Sequence, residues 1–408
     1  EVRRRVGGLA ASMKLLSVDD ARARMLAEIE ALPAEQVALT QAIGRVLAHP
    51  VSALRDQPPF AASAMDGWAV RSADTPGELK IVGESAAGHG YAGRVGPHEA
   101  VRIFTGAALP QDTDAIVIQE DAQHDGDRVR VPAAVSGANV RPAGGDFRAA
   151  DLLLRAGDRI DPWRLTLAAA AGRAQVSVHA SPTVAILGTG EEIVEAPATP
   201  GPFQIYDSGA PTLVALVSAW GGRATKSKPV ADNLEAVIAA LRDARADLVV
   251  TVGGASVGDH DLVRAAAEAL GFQPRVQSVA VRPGKPTFFG VLPDGRKLLG
   301  LPGNPASALV CAELFLRPIL SAFQGAAPQP RIIQARLSRP LKGNGPREHW
   351  MRARLSFVDG AVLAEPMADQ DSSLVTVFAS ADALLRREAG APAAAEGAVV
   401  DVLPLARA

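Results

Sequence analysis

Three turns rich in glycine and proline follow apolar runs in the second half of this 408-residue sequence, and each carries groups suited to an anion or a cation. The first is Thr251-Val-Gly-Gly-Ala-Ser-Val-Gly-Asp-His-Asp261, directly after Leu248–Val252. Gly253, Gly254 and Gly258 permit positive φ and close backbone approach, so amide N–H groups can face an anion. Asp259 and Asp261 are oxygen donors able to hold a divalent cation that neutralises phosphates. The second is Arg282-Pro-Gly-Lys-Pro286, where prolines stiffen a turn that keeps a planar guanidinium and a compact ammonium together. The third is Leu301-Pro-Gly-Asn-Pro-Ala-Ser307, with Asn304 as helix cap and Pro305 at the first helical position, so that free N–H groups and the positive end of the helix dipole can meet an anion. Each also has a plainer meaning: a glycine turn with a solvated acidic tail, a solvated basic turn, a well-capped helix start.

Two further stretches carry acids. Asp66 lies in the small-residue run Phe60-Ala-Ala-Ser-Ala-Met-Asp-Gly-Trp68, where a hairpin turn at Asp66-Gly67 is the simple expectation. Thr189-Gly-Glu-Glu192 follows another apolar run and offers carboxylates to a metal or a hydroxyl. No GxxxxGK[ST], GxSxG or HExxH pattern occurs, and the seven histidines are scattered. This excludes the usual signatures of P-loop NTPases, serine hydrolases and structural zinc sites.

Composition narrows the setting. Hydrophobic residues make up 48% and charged residues 21%, an ordinary globular balance over a length that calls for two to four domains. The formal net charge of -2 supplies no global field for nucleic acid, so an anion site must be local. The single cysteine, Cys311, sits in an apolar run and reads as a small buried hydrophobe. No disulfide framework is available within the chain, and a cytoplasmic setting without a membrane span is expected. Residues 1–12 (EVRRRVGGLAAS) are expected to stand outside the fold, with Met13 opening the folded sequence.

These turns need strands and helices to hold them. Ser17 and Asp20 read as a helix cap with an acidic first turn, followed by an apolar stripe at Met25, Leu26, Ile29 and Leu32. A second helix is expected over 163–171. Between them, 79–83, 100–104, 115–119 and 128–132 are short strand-like runs, a β-rich domain inserted into a helical one. From 182 to 324 the order alternates. Strands are expected at 183–187, 248–252, 276–281 and 297–300, and helices at 212–219, 234–243, 262–270 and from Pro305. That order implies a parallel sheet with helices on both faces and ligands beyond the strand ends. Beyond 328 short strands return, with a hairpin over 350–365 turning at Asp359-Gly360.

Taken together, the segments FAASAMDGWAVR, RIFTGAALPQDTDAIVIQED, GTGEEIV, QIYDSGAPTL, TVGGASVGDHD, VAVRPGKPTFFG and LPGNPASALVCAELFLRP resemble, in order, those of the molybdopterin molybdenumtransferases, the MoeA family that includes the E domain of gephyrin. They spread over most of residues 56–318. PREHWMRARL and DQDSSLV fit less tightly. The resemblance implies a multidomain α/β protein: a MogA-like doubly wound α/β domain (181–327), an elongated helical domain (13–50 and 142–180), an inserted β domain (51–141) and a C-terminal β-barrel (328–408). It implies insertion of molybdate into adenylylated molybdopterin with release of AMP, aided by Mg²⁺. It implies a homodimer whose cleft lies between the α/β domain of one subunit and the inserted domain of the other. A transient contact with molybdopterin adenylyltransferase goes with it; nucleic acid and membrane do not.

Carried over by motif, Arg282, Lys285 and Pro286 would bind molybdate, closed by Arg347 or Arg352 and Ser372 or Ser373. Glu192, Asp232 and Asp261 would hold Mg²⁺ or orient the nucleotide, with Asp66 and Thr105 reaching in from the partner. Gly253, Gly254, Ser256, Pro302, Gly303, Asn304 and Pro305 would shape the pterin-phosphate end, and Asp146 is a further substrate contact. Arg282 stands where the family usually has Lys, Glu191 where it has Asp, and Trp68 where it has Tyr. Three alternatives stay open: molybdopterin adenylyltransferase, a non-catalytic pterin-binding scaffold, and a phosphosugar or nucleotide pyrophosphatase.

Overall fold

A computed structural model describes residues 15–253, 262–328 and 330–405. The chain forms two compact units: residues 36–43 and 49–177 in one, and the remaining described residues in the other.

The smaller unit is built on a six-stranded sheet in the order Ala115–Ile118, Gly67–Val70, Glu99–Ile103, Gly77–Ser85, Arg128–Val131, Gln123–Asp125. Alternating side chains bury Leu79, Val129 and Val131 on one face with Trp68 and Val70. Val101, Ile103 and Ile116 fill the other face. Asp66-Gly67 is not the hairpin turn expected, because Ala62–Ser63 pairs with Val140–Arg141 instead of with the strand that follows Asp66. The helix expected near 163 spans Pro162–Ala170, capped by Asp161, whose carboxylate accepts the Arg164 N–H.

In the larger unit, helix α1 (Val18–Leu26) starts where Ser17 Oγ accepts the Asp20 N–H at 3.0 Å. It ends at Leu26, so the helical stripe does not continue to Ile29 and Leu32. These instead pack, half-buried, against the core from the following coil. Of the strands that follow, seven frame the α/β part: β1 (Thr183–Gly188), β2 (Arg223–Lys226), β3 (Leu248–Val252), β4 (Gln273–Val276), β5 (Val281–Arg282), β6 (Phe288–Val291) and β7 (Lys297–Leu301). Their helices are α2 (Gly209–Ala219), α3 (Leu234–Asp243), α4 (Leu262–Ala269) and α5 (Pro305–Cys311).

The sheet order is β2-β1-β3-β7-β6-β4. The first four strands are parallel, while β6 and β4 add an antiparallel edge. The single strand expected over 276–281 is therefore two. β4 ends at Val276, and after a break β5 leaves the sheet to pair elsewhere. β3 is buried at all five positions, as a central parallel strand covered on both faces must be. One face packs with α2 and α5 around Leu213, Val250 and Leu299; the other packs with α3 and α4 around Val237, Val249 and Val263. α5 runs on through a π-turn, so that Pro305–Phe323 is one apolar helical stretch of 19 residues, mostly buried, as in a core helix.

Five strands close the C-terminal barrel: β8 (Ile333–Leu337), β9 (Glu348–Val358), β10 (Ala361–Pro366), β11 (Ala383–Arg387) and β12 (Val399–Pro404). The circuit is β9-β10-β8-β12-β11 and back to β9, so no edge is left open. The expected hairpin is present, with Asp359 and Gly360 at φ 49 and 77, as a two-residue turn of primed type requires. β5 joins this barrel in parallel, Arg282 opposite His349.

Cys311 is fully buried on α5, and burial pushes its thiol up to about 12. The Thr287 hydroxyl donates to its Sγ at 3.1 Å. Native protein should therefore stay unalkylated in iodoacetamide at pH 8 and react only after denaturation, as intact-mass spectrometry would read. Stoichiometric alkylation of the folded protein would contradict the burial.

Candidate functional site

The ends of β1, β3 and β7 converge. β1 hands over to Thr189, β3 to Gly253 and β7 to Pro302-Gly303, on adjacent parallel strands. Gly253 has φ 92, and a Cβ there would collide with the Thr189 carbonyl oxygen. A Cβ on Gly303 would sit 3.2 Å from the Gly253 Cα. The turns touch backbone to backbone: Gly253 has no room for a Cβ, and one on Gly303 would have to push the Gly253 backbone back by a few tenths of an ångström.

Beyond them opens a cleft of about 660 Å³. Of the residues proposed from sequence, Glu192, Gly253, Pro286 and Ser373 line it. Pro302, Gly303, Asn304 and Pro305 form its floor at the start of α5. Asn304 caps the helix by position, but its side chain is engaged elsewhere: Nδ2 donates to Ser372 Oγ at 2.9 Å. The Ala306 N–H donates to the Ser372 carbonyl at 3.0 Å. Segment 369–375 is thereby fastened to the helix start.

The same segment reaches a buried cation. Arg352 on β9 is fully buried. Its Nη2 donates to the Asp371 carbonyl at 2.8 Å, its guanidinium lies 5.9 Å from the Phe378 ring, and Nε and Nη1 have no hydrogen-bond partner among the described residues. Burial pulls its pKa below the usual arginine value, Asp369 and Asp371 oppose that, and Arg282 adds to it. Arg347 extends Nη1 towards the Val281 carbonyl at 3.5 Å. Arg282, Arg347 and Arg352 thus gather around the β5–β9 pair, and their charges all bear on His349.

Other expected residues stand apart from the cleft lining. Lys285 is half-buried in the turn after β5, its carbonyl accepting the Val279 N–H at 3.0 Å. Asp232 accepts the Glu191 N–H at 3.1 Å, steadying the turn that carries Glu192. Gly254, Ser256 and Asp261, with Asp259 and His260, lie outside the described residues. In the smaller unit, Asp66 accepts both the N–H and the hydroxyl of Thr105, at 2.7 and 2.8 Å. Those bonds hold its carboxyl below the ordinary range. Asp146 lines a separate hollow with Arg55 and Arg141.

Sequence reasoning passed over Thr189, Tyr206 and Asp207, which also line the cleft. Their signal was present in TGEE and QIYD, two segments read for their acids or their order alone. Asp207 accepts the Ala210 N–H at 3.0 Å at the start of α2 and lies 3.8 Å from Lys226 Nζ. His349 was missed because an isolated histidine within a strand carries no pattern.

Comparison with known proteins places this architecture. Residues 16–172 match the model of the MoeA N-terminal region (domain I and II). Residues 185–322 match a probable molybdopterin binding domain, and 334–405 the MoeA C-terminal region (domain IV). A molybdopterin molybdenumtransferase of Staphylococcus aureus (strain COL) is 30% identical over 400 residues, 95% of each chain. One of Nostoc sp. is 36% identical over 340 residues, 80% of this chain and 78% of the relative. The crystal structure of a molybdopterin biosynthesis MoeA protein from Pyrococcus horikoshii superposes with a TM-score of 0.81 at 30% identity, covering 96% of this chain and 99% of that one. With similarity running through all three regions and nearly the whole length, the chain belongs to the MoeA family of molybdopterin molybdenumtransferases.

Proposed function

We propose that this chain inserts molybdenum into molybdopterin: it takes adenylylated molybdopterin and molybdate, transfers the metal to the dithiolene and releases AMP. The observation that carries this reading is Arg352, a fully buried guanidinium with two nitrogens unpartnered among the described residues, beside Arg282 and Arg347. Like charges are gathered in this way where an anion offsets their repulsion. Molybdate is a dianion, and a planar guanidinium donates to two of its oxygens at once.

In this reading Arg282, Lys285 and Pro286 hold molybdate, Arg347 and Arg352 complete its cation shell, and Ser372 and Ser373 close over it. The Thr189, Gly253 and Gly303 turns take the phosphate end of the pterin. The clustered cations stabilise charge that builds as the phosphoanhydride opens. For Mg²⁺, no group of three or more ligating side chains stands together among the described residues. Mg²⁺ does not need one, since it is commonly held by one or two carboxylates together with substrate phosphates and water. Glu192 on the cleft wall and Asp232 beside its turn suit that mode, and Mg²⁺ so held would polarise the phosphoanhydride. A cytoplasmic homodimer, with Asp66 and Thr105 reaching in from the second copy, belongs to the same proposal. So does a passing contact with the adenylyltransferase that supplies the substrate.

The test is incubation with adenylylated molybdopterin, Mg²⁺ and molybdate, with AMP followed by chromatography. AMP release should depend on molybdate and fall about tenfold or more in Lys285→Ala. Release without molybdate, or adenylylation of molybdopterin from ATP, would replace this reading with the adenylyltransferase.

A further inference from the structure

The cleft has two chemically different walls. One is apolar and exposed. The short parallel pair Ile193-Val194 with Ile205-Tyr206 presents Ile205 at 58% and Tyr206 at 52% exposure, with Phe203 beside them at 92%. Three large hydrophobic side chains exposed within four residues are unusual unless something covers them. Ile205 and Tyr206 line the cleft itself. The other wall is polar. Thr189 is 4% exposed and lines the cleft, and its Oγ1 has no hydrogen-bond partner among the described residues. It packs beside Gly253, 3.0 Å from where a Cβ would stand. Buried hydroxyls are nearly always satisfied, so one unpartnered among the described residues and packed against the Gly253 backbone points to a bound polar atom.

The two walls are parts of one short stretch. The Gly190–Glu192 turn joins Thr189 to Ile193. The Ile205 N–H donates to the Glu192 carbonyl at 2.7 Å, and the Asp207 N–H to the Val194 carbonyl at 2.8 Å, so the platform is bonded to the turn. Four residues of chain cannot part Thr189 from Ile193 by more than about 14 Å. One ligand of mononucleotide size can therefore touch both walls.

We propose that the cleft binds its ligand in a fixed direction: a flat heteroaromatic ring lies on Tyr206 and Ile205, and a phosphoryl oxygen accepts a hydrogen bond from the Thr189 hydroxyl. This rests on the reading of the cleft as the substrate site, and adds which end of the substrate goes where. Tyrosine stacks on any flat ring with little loss of side-chain freedom, so adenine and pterin are served by the same chemistry. Asp207, next in chain to Tyr206, disfavours a bare phosphate at the apolar wall, while the Glu192 carboxylate, folded back against Gly190 beside Thr189, suits a Mg²⁺ shared with a phosphoryl group at that end.

Calorimetric titration of the full-length protein with AMP, neopterin monophosphate and inorganic phosphate, in Mg²⁺ buffer, tests this. Tyr206→Ala should weaken AMP or the pterin about tenfold and leave inorganic phosphate unchanged, while Tyr206→Phe, which keeps the ring, stays within about twofold. The ring ligand that loses affinity identifies which ring sits there. Thr189→Val should weaken all three probes, and Thr189→Ser should restore them. The proposal is overturned if Tyr206→Ala leaves both ring ligands as in wild type, if it weakens phosphate equally, or if wild type binds none of the probes. The expected binding pattern without molybdate-dependent AMP release would support the proposal and sink the activity proposed above instead.

Discussion

Replacing Arg352 with methionine should cut molybdate-dependent AMP release by about a hundredfold or more, and leave the fold as stable as before or more so. The two halves of this expectation come from the same geometry. The guanidinium is fully buried, donates one hydrogen bond to the Asp371 carbonyl, and leaves Nε and Nη1 unpartnered among the described residues. In the folded chain alone this is a charge held away from water next to Arg282, which is unfavourable. Methionine is apolar and follows the arginine stem as far as the Nε position, so it removes that penalty while keeping the packing of the stem. What it cannot do is donate to an oxyanion. Losing one aimed donor at a developing or bound anion costs about 10²–10³ in rate. Arg352→Lys keeps the charge without the fork and should fall between the two. AMP release and thermal denaturation, measured on the same preparations, separate the outcomes. Wild-type turnover in Arg352→Met, or turnover lost only in step with a large drop in melting temperature, would remove Arg352 from the site.

That residue also shows how far the sequence reads on its own. The turns after β1, β3 and β7 are legible because glycine, proline and asparagine at a strand-to-helix junction have few conformations open to them, and the same constraint that fixes the turn also aims its amides. α3 and β3 begin and end where periodicity and capping put them, Asn233 accepting the Ala236 N–H. The antiparallel edge is not legible in this way. Phe288–Val291 is an apolar run that any buried strand could have, and its direction is decided by pairing with β7, a long-range contact. Nor is the departure of β5. Nothing within Val281-Arg282 says that its hydrogen bonds go to β9, some 67 positions later by register. Yet that pairing brings the RPGKP turn beside Arg347 and Arg352. The individual cations could be named from sequence, while the reason they gather is tertiary.

His349 is the clearest case of a group that only the fold gives meaning. It should make the protein lose on the order of 3 kcal/mol of stability between about pH 6.5 and pH 4, a loss that His349→Gln does not share. The side chain is 7% exposed and its Nε2 is unpartnered among the described residues. Burial first, then Arg282, Arg352 and Arg347, push its pKa from 6.5 down to about 4. Its register partners are cationic too: Arg282 on β5 and Arg387 on β11. Because the folded pKa is depressed, the unfolded chain takes up a proton near pH 6.5 while the folded chain stays neutral until about pH 4. Through that window the unfolded state binds more protons, so stability rises with pH and is lost as pH falls. A window of about 2.5 pH units at about 1.4 kcal/mol per unit sets the size. Urea denaturation of both proteins at pH 7, 5.5 and 4.5 measures it, since every other titrating group is common to the pair and cancels in the difference. A dianion such as sulfate, bound beside the same arginines, should shrink the wild-type loss by weakening the positive field at the imidazole. Parallel stability curves for the two proteins across this range would mean that His349 is not held neutral by its surroundings, and that the arginines around it are less closely gathered than described.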